Sequence, residues 1–478
     1  MAYVLILFPL LFAIVAAIWP SDRSRPWLVT TGAAGQAIAV LFAFQEKRIV
    51  GLGGWLVLDS AGKLVLGLTS TIFLVCALYA PTYLRQRSER PNAVFCACLL
   101  AFDAMLVVIA EAHHLGLMWV ALEAATLCAA PLIYFNRNQR SLEATWKYLI
   151  IGSVGIALAL LGSLFLAYSE LQANLEPSLL FEDLLVQAPH LSKPWLHAAF
   201  VILFIGYGTK MGLAPMHTWK PDAYGEAPGI VGTMLAGGVT NCAFLAIVRF
   251  FGICHAAGDD QFARGLMMFM GLLSMAVAGT FIVGQRDYKR MLAYSSVEHM
   301  GILVVGISLG GVGVFGSLLH MINNGLTKAV LFLSAANIHR AFASKRVEDV
   351  SGALRRVPIS GALFLCGFFA VTGSPPFGPF VSEFTIVRAA FASGRYGVAA
   401  IFLALLALVF VGMGSAVVGI VQGVPSARAE ATPFRDEVGT VAPILFALAL
   451  VLLLGLYLPA PLERLLVEVS TSLGGGAP

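Results

Sequence analysis

The chain has 478 residues, of which 59% are hydrophobic and 12% charged, with a net charge of +4; its mean hydropathy is +0.86. A soluble domain carries about 25% charged residues, so this supply cannot cover a water-facing surface, and a soluble enzyme, a nucleic-acid binder and a disordered scaffold are excluded. The seven cysteines (Cys76, Cys96, Cys98, Cys128, Cys242, Cys254 and Cys366) include no CxxC pair and no zinc-finger spacing, so they read as small buried apolar residues rather than a disulfide or Fe–S framework.

A membrane-crossing helix needs about 20 apolar residues, which leaves room for about fourteen spans. In chain order they are expected at residues 2–19, 28–45, 62–81, 93–110, 115–135, 147–168, 196–216, 227–251, 265–284, 293–310, 312–338, 358–391, 396–421 and 440–459. The fold class is therefore an all-α integral membrane protein. Residues 2–19 lack the basic leading region of a signal peptide and read as the first span. The stretch 358–391 is too long for one crossing and is interrupted by Gly373, Ser374, Pro375 and Pro376, so it reads as one broken helix.

Cytoplasmic loops are enriched in Lys and Arg. The loops after odd-numbered spans are expected to hold Arg23, Arg25, Arg85, Arg87, Arg90, Arg137, Arg140, Lys147, Lys220, Arg286, Lys289, Arg290, Arg340, Lys345, Arg346, Arg355, Arg356, Arg428 and Arg435, most of the thirty basic residues. The longest loop on the other side, 169–195, is acidic through Glu170, Glu176, Glu182 and Asp183. Both termini are accordingly expected outside the cytoplasm of a prokaryotic inner membrane.

Two lysines, Lys210 and Lys328, and the acids Asp103, Glu123 and Glu383 remain inside spans. An ionisable group at the bilayer centre costs about 2.5–3.5 kcal/mol on insertion scales, so it faces a partner or a watery cavity. Five such groups in one bundle point to a proton or ion pathway. Lys210 lies among Gly206, Gly208, Gly212 and Pro215, and Glu383 follows Gly373 to Pro379. Broken helices free backbone carbonyls beside a charge, and their recurrence in two halves points to inverted repeats. The expected division is 1–91 for spans one to three, 92–251 and 264–421 for two inverted five-helix repeats with spans seven and twelve discontinuous, and 422–478 for the last span and tail.

At these residues the chain resembles the antiporter-like proton-channel family of complex I membrane subunits, multi-subunit cation/proton antiporters and membrane-bound hydrogenases. The resemblance is carried by Trp119 to Glu123, by Lys210 with Pro215 to Ala223 and Ala227-Pro228, by Asp287 to Gly301, by Asn323 to Lys328, and by Pro375 to Gly378 with Val381 to Phe384. The Ser-Val-Glu-His-Met wording and the His113-His114 pair are most similar to component F of hydrogenase-4 complexes. The resemblance implies proton translocation through Glu123, Lys210, Lys328 and Glu383. Candidate relay residues are His217, Asn241, His299, His320 and Asn324; Asn241 and Asn324 stand where relatives carry lysine and histidine, and neither amide can carry a proton as a cation. Asp103 matches no family position.

The chain is thus expected to be a proton-translocating subunit of a redox-driven complex, without metal, cofactor or catalytic centre of its own. Its partners would be other membrane and peripheral subunits bearing Ni-Fe and Fe-S centres or flavin. A sodium/proton antiporter subunit, a membrane partner of an inorganic-carbon uptake module and a structural scaffold are the other readings of the same fold. Gly311 to Gly316 spell a GxGxxG pattern between apolar spans and read as glycine packing.

Overall fold

The structure is a computed structural model, and residues 1–425 and 432–476 are described; Arg428 of the orientation argument lies outside them. Helices α1 (Ala2–Ile18) and α2 (Arg25–Ala43) are followed by a two-stranded antiparallel hairpin, β1 (Ile49–Gly51) and β2 (Leu56–Leu58), with Val50 opposite Val57. Then come α3 (Ser60–Arg85), α4 (Ala93–Glu111), α5 (Leu115–Ile133), α6 (Gln139–Gln172), the short α7 (Phe181–Gln187), α8 (Lys193–Met211), α9 (Trp219–Glu226), α10 (Gly229–Met234) and α11 (Thr240–Ala256). The second half holds α12 (Asp260–Ile282), α13 (Tyr288–Leu309), α14 (Val312–Phe342), α15 (Ala353–Arg356), α16 (Pro358–Val371), α17 (Gly378–Ala392), α18 (Tyr396–Val421), α19 (Val438–Leu456) and α20 (Ala460–Ser472). A helix falls on each expected span. Among the described residues ten helical stretches are long and apolar enough to cross a membrane, with Ala2–Ile18 and Pro358–Val371 as shorter apolar helices.

Burial sorts the helices. The apolar windows of Gly229–Ala256 and Tyr288–Leu309 are wholly enclosed, whereas those of Tyr396–Val421 and Gln139–Gln172 are largely exposed. A helix apolar all round and enclosed by protein forms the centre; one apolar and uncovered faces lipid. The centre, α10–α11, α13 and α14, also carries Asn241, Ser295, Ser296, Glu298, His299, His320, Asn324 and Lys328, all buried. Polar groups in a bilayer are tolerated where other helices surround them.

The loops sort into two faces. After odd-numbered spans, Arg25 donates to Asn92 at 2.6 Å, Arg90 to the Phe135 carbonyl at 3.0 Å, Asn136 to the Glu226 carbonyl at 2.8 Å, and Lys345 pairs with Glu226 at 2.6 Å. On the opposite face, Leu56 bridges Ala112, His114 bridges Leu180, and the Gly476 N–H donates to the Gly311 carbonyl at 3.1 Å. A span miscounted by one would mix the two sets.

Three elements depart from the expectation. The run Gly206 to Gly208 does not break the seventh span: α8 is continuous to Met211, and the discontinuity follows at Gly212, whose φ of +80° closes the helix in the left-handed conformation glycine favours. The stretch 219–226, read as loop, is the helix α9. The tail contains α20, which packs on α14 and α3. The twelfth-span break runs as expected, between α16 and α17. The eighth span includes a π-helical turn at Leu235–Val239, and Asn241 donates back to the Gly237 carbonyl there at 2.8 Å. Gly313 and Gly316 pack against α13 and α17, in keeping with the packing reading of the glycine pattern.

Candidate functional site

Helix α5 presents Glu123 and Thr126 on one face, three residues apart. Glu123 Oε1 accepts from Ser153 Oγ of α6 at 2.6 Å, and its Oε2 is buried without a hydrogen-bond partner. Lys210, 1% exposed in the last turn of α8, donates to Thr126 Oγ1. Its Nζ lies 5.3 Å from the Tyr148 ring centroid. A cation is favoured there by the helix C-terminal carbonyls and the ring face. No ion pair within 4.0 Å joins Lys210 to Glu123 among the described residues; the acid acts on the lysine as a nearby opposite charge, and the Thr126 hydroxyl that Lys210 bonds itself donates to the Leu122 carbonyl at 2.8 Å.

Beyond the end of α8 the chain turns back into the bundle and brings in a third lysine. Lys220, counted as a loop cation from the sequence, is fully buried on α9. This corrects the sequence expectation: the prolines and polar residues around it resemble a loop, but Trp219 and Tyr224 on the same short helix are buried and carry it inward. Lys220 Nζ donates to Ser296 Oγ of α13 at 3.1 Å. Its side chain runs past Gly212, where an added Cβ would meet Nζ at 2.7 Å. The rings of Tyr148 and Trp219, 5.2 Å apart, stand between Lys210 and Lys220.

On the next residue of α13, Ser295 Oγ accepts from Lys328 Nζ at 2.8 Å. Lys328 is fully buried at the middle of α14, with Glu298 of α13 within electrostatic reach. Glu298 lies within the Asp287 to Gly301 motif and is not among the candidate residues of the sequence; its position one turn from Ser295 on α13 is the signal that points to it. Four-residue spacing along α14 sets His320, Asn324 and Lys328 on one stripe. His320 Nε2 and His299 Nδ1 are 2.9 Å apart, and His320 Nδ1 is 2.9 Å from Ser382 Oγ of α17. Glu383, the next residue, has a buried Oε1 without a partner. Ligand atoms of His299, His320 and Glu383 lie within 4.8 Å of one another, making them the residues that could hold a small cation. Asn323 Nδ2 donates to the Gly378 carbonyl at 2.8 Å and ties α14 to the start of α17.

The structure thus brings Glu123, Lys210, Lys328, Glu383, His299 and His320 into one row and adds Lys220 and Glu298. Asn324 is buried within the stripe with both side-chain polar atoms unpartnered, and Asn241 Oδ1 is likewise unpartnered. His217 is buried on the turn before α9, its Nδ1 without a partner, and stands apart from the two-histidine contact. Asp103 is fully buried on α4 beside Gln36, and neither carboxyl oxygen has a hydrogen-bond partner. Glu111 at the end of α4, just past the expected span and so passed over, is also buried with both oxygens unpartnered.

A structural clamp sits at one end of the bundle. Arg249 of α11 pairs with Asp59 at 3.0 Å and donates to the carbonyls of Ala112 and Ala110, while His113 approaches Asp59 at 3.4 Å. Burial alone would raise the Asp59 carboxyl, but Arg249 and His113 outweigh it and hold it below the usual carboxylate range.

Fold and site define a class: a multi-pass helical membrane protein with a row of buried ionisable groups running between two interrupted helices. The chain belongs to the NADH:quinone oxidoreductase/Mrp antiporter transmembrane family, which matches residues 112–410. It is 32% identical over 475 residues to the hydrogenase-4 component F homolog of Methylacidiphilum infernorum (isolate V4), covering 96% of each chain. It is 31% identical to NADH-quinone oxidoreductase subunit N of Desulforudis audaxviator (strain MP104C), covering 73% of this chain and 68% of the relative. Among solved structures, a chain of the archaeal membrane-bound sulfane sulfur reductase superposes with a TM-score of 0.88 at 20% identity, covering 99% of this chain and 98% of that one. A chain of the Mrp complex from Dietzia sp. DQ12-45-1b superposes with a TM-score of 0.84 at 20% identity, covering 99% and 97%.

Proposed function

We propose that the chain is a proton-translocating membrane subunit of a redox-driven complex related to complex I and membrane-bound hydrogenases. The observation that carries this reading is the set of enclosed polar contacts spaced from α5 to α17: Glu123 with Ser153, Lys210 with Thr126, Lys328 with Ser295, and His299 with His320 and Ser382. In a low-dielectric interior the attraction between an acid and a lysine is strong and varies steeply with their separation. Drawing Glu123 towards Lys210 holds the lysine proton; moving it away favours release towards Lys328. His299 and His320 pass the proton on, and Glu383 exchanges it with the far aqueous side. A neighbouring redox module supplies the driving change.

The partners in this reading are other membrane subunits and peripheral subunits bearing Ni-Fe and Fe-S centres or flavin. The basic loop face is the cytoplasmic one, which places both termini on the opposite side. Residues 92–251 and 264–421 form the two inverted repeats.

The test is proton uptake by inside-out membrane vesicles carrying the whole complex, measured together with electron transfer. Glu123→Gln and Lys210→Met are expected to lower the protons moved per electron at least tenfold while the subunit stays in the membrane. Wild-type ratios in both variants would sink the reading.

A further inference from the structure

The buried lysines divide into two kinds by what they touch. Lys63 donates to the carbonyls of Glu46 and Lys47, and Lys289 to the Ala227 carbonyl. Carbonyls only accept, so the surroundings of those two lysines offer no hydrogen to the lone pair of a neutral amine. Lys210, Lys220 and Lys328 differ. Each donates to one hydroxyl, on Thr126, Ser296 and Ser295 respectively, and none has an ion pair within 4.0 Å among the described residues. A hydroxyl can accept from an ammonium or donate to a neutral amine. Such a partner suits a lysine that is charged in one state and neutral in the next.

We propose that Lys220 is the middle proton station of this chain, receiving on its neutral amine the proton given up by the Lys210 ammonium and passing it to Lys328 across the adjacent hydroxyls of Ser296 and Ser295. The position supports this as much as the partners do. Gly212, two residues after Lys210, leaves the space through which the Lys220 side chain runs. At the other end, the acceptors of Lys220 and Lys328 are consecutive residues of one helix. Asn241 of α11 donates back to the Gly237 carbonyl and offers no cation there. The cation for the centre of the row is supplied from α9.

The inference rests on the proton-translocating reading, and the experiment separates the two. In vesicles carrying the whole complex, Lys220→Met and Lys220→Arg are compared with Lys210→Met. Arginine keeps charge and reach but does not release its proton. Both Lys220 variants, at wild-type abundance, are expected to move at least tenfold fewer protons per electron. A wild-type ratio in Lys220→Arg with loss in Lys210→Met overturns the station and leaves the reading standing; wild-type ratios in all three overturn both. If the Lys220 variants do not accumulate, Ser296→Ala decides: it keeps the lysine and removes its partner, a pumping rate about threefold lower is expected, and an unchanged rate overturns the station.

Discussion

His299 Nδ1 on α13 and His320 Nε2 on α14 lie 2.9 Å apart, so one nitrogen bears the hydrogen and the other accepts it. Two fully protonated rings cannot hold that contact. The pair therefore carries a single shared proton between the rings, and His320 hands the other side of its ring to Ser382. His320→Gln keeps a polar side chain of similar reach but cannot take up and release a proton. It is expected to lower the protons moved per electron about tenfold in membrane vesicles, and an unaltered ratio would remove the histidines from the pathway.

Gly373 has a φ of +64°, and a Cβ there would collide with the Glu383 carboxylate. Gly373→Ala should therefore slow pumping several-fold and cost about 1 kcal/mol of backbone strain. Gly394, with a φ of +70° and open space around it, provides the comparison: Gly394→Ala costs similar strain with no collision. Equal pumping in the two variants would show that Glu383 does not depend on its present position.

Removing Arg249 leaves the Asp59 carboxylate and two backbone carbonyls without their shared donor. With the Asp59 side chain 32% exposed, solvent screening reduces the cost of breaking the pair to about 1 kcal/mol, and the two carbonyls lose their donor as well, so Arg249→Leu should lower the thermal midpoint of the detergent-solubilised complex. Because the folded Asp59 carboxyl is held below its ordinary range, the stabilisation is present above the unfolded value of about 3.9 and lost only as pH falls through the lower folded one. Asp59 itself adds no difference between pH 6 and pH 8, but removing Arg249 takes away a charge that opposes protonation of His113 beside Asp59, so the deficit of Arg249→Leu should be smaller at pH 6 than at pH 8.

Asp103 is fully buried with Gln36 as its polar neighbour, and it makes none of the contacts that link α5, α13, α14 and α17. Replacing a buried, unsatisfied polar group with an apolar one of similar size is neutral or stabilising. Asp103→Leu should leave proton transfer unchanged and the thermal midpoint equal or higher. A loss of pumping would instead place Asp103 on the path.

The spans were legible because lipid imposes one requirement on every crossing helix, and Glu123, Lys210, Lys328 and Glu383 stood out because so little other charge occurs in apolar sequence. Lys220 did not stand out, for a physical reason. Its neighbours Pro221, Asp222 and Glu226 have the composition of a loop, and Asp222 and Glu226 do pair with the part-exposed cations Lys147 and Lys345, while the lysine just before them points inward. Local composition reports the average environment of a segment, and a short helix lying across a break presents two environments at once. Glu111 escaped for a related reason, since a residue at a span boundary reads as wetted until the hairpin of β1 and β2 is seen to cover that end.

The clamp also has a schedule. Asp59 precedes Arg249 by 190 residues, and at about 5–20 residues per second of synthesis the acid waits about 10–40 s for its partner. During that interval the first helices are in the membrane while the carboxylate that will anchor them has no guanidinium to bind. The clamp between Asp59 and Arg249 can therefore close only once α11 has been inserted, after the helices it fastens have already begun to pack on one another.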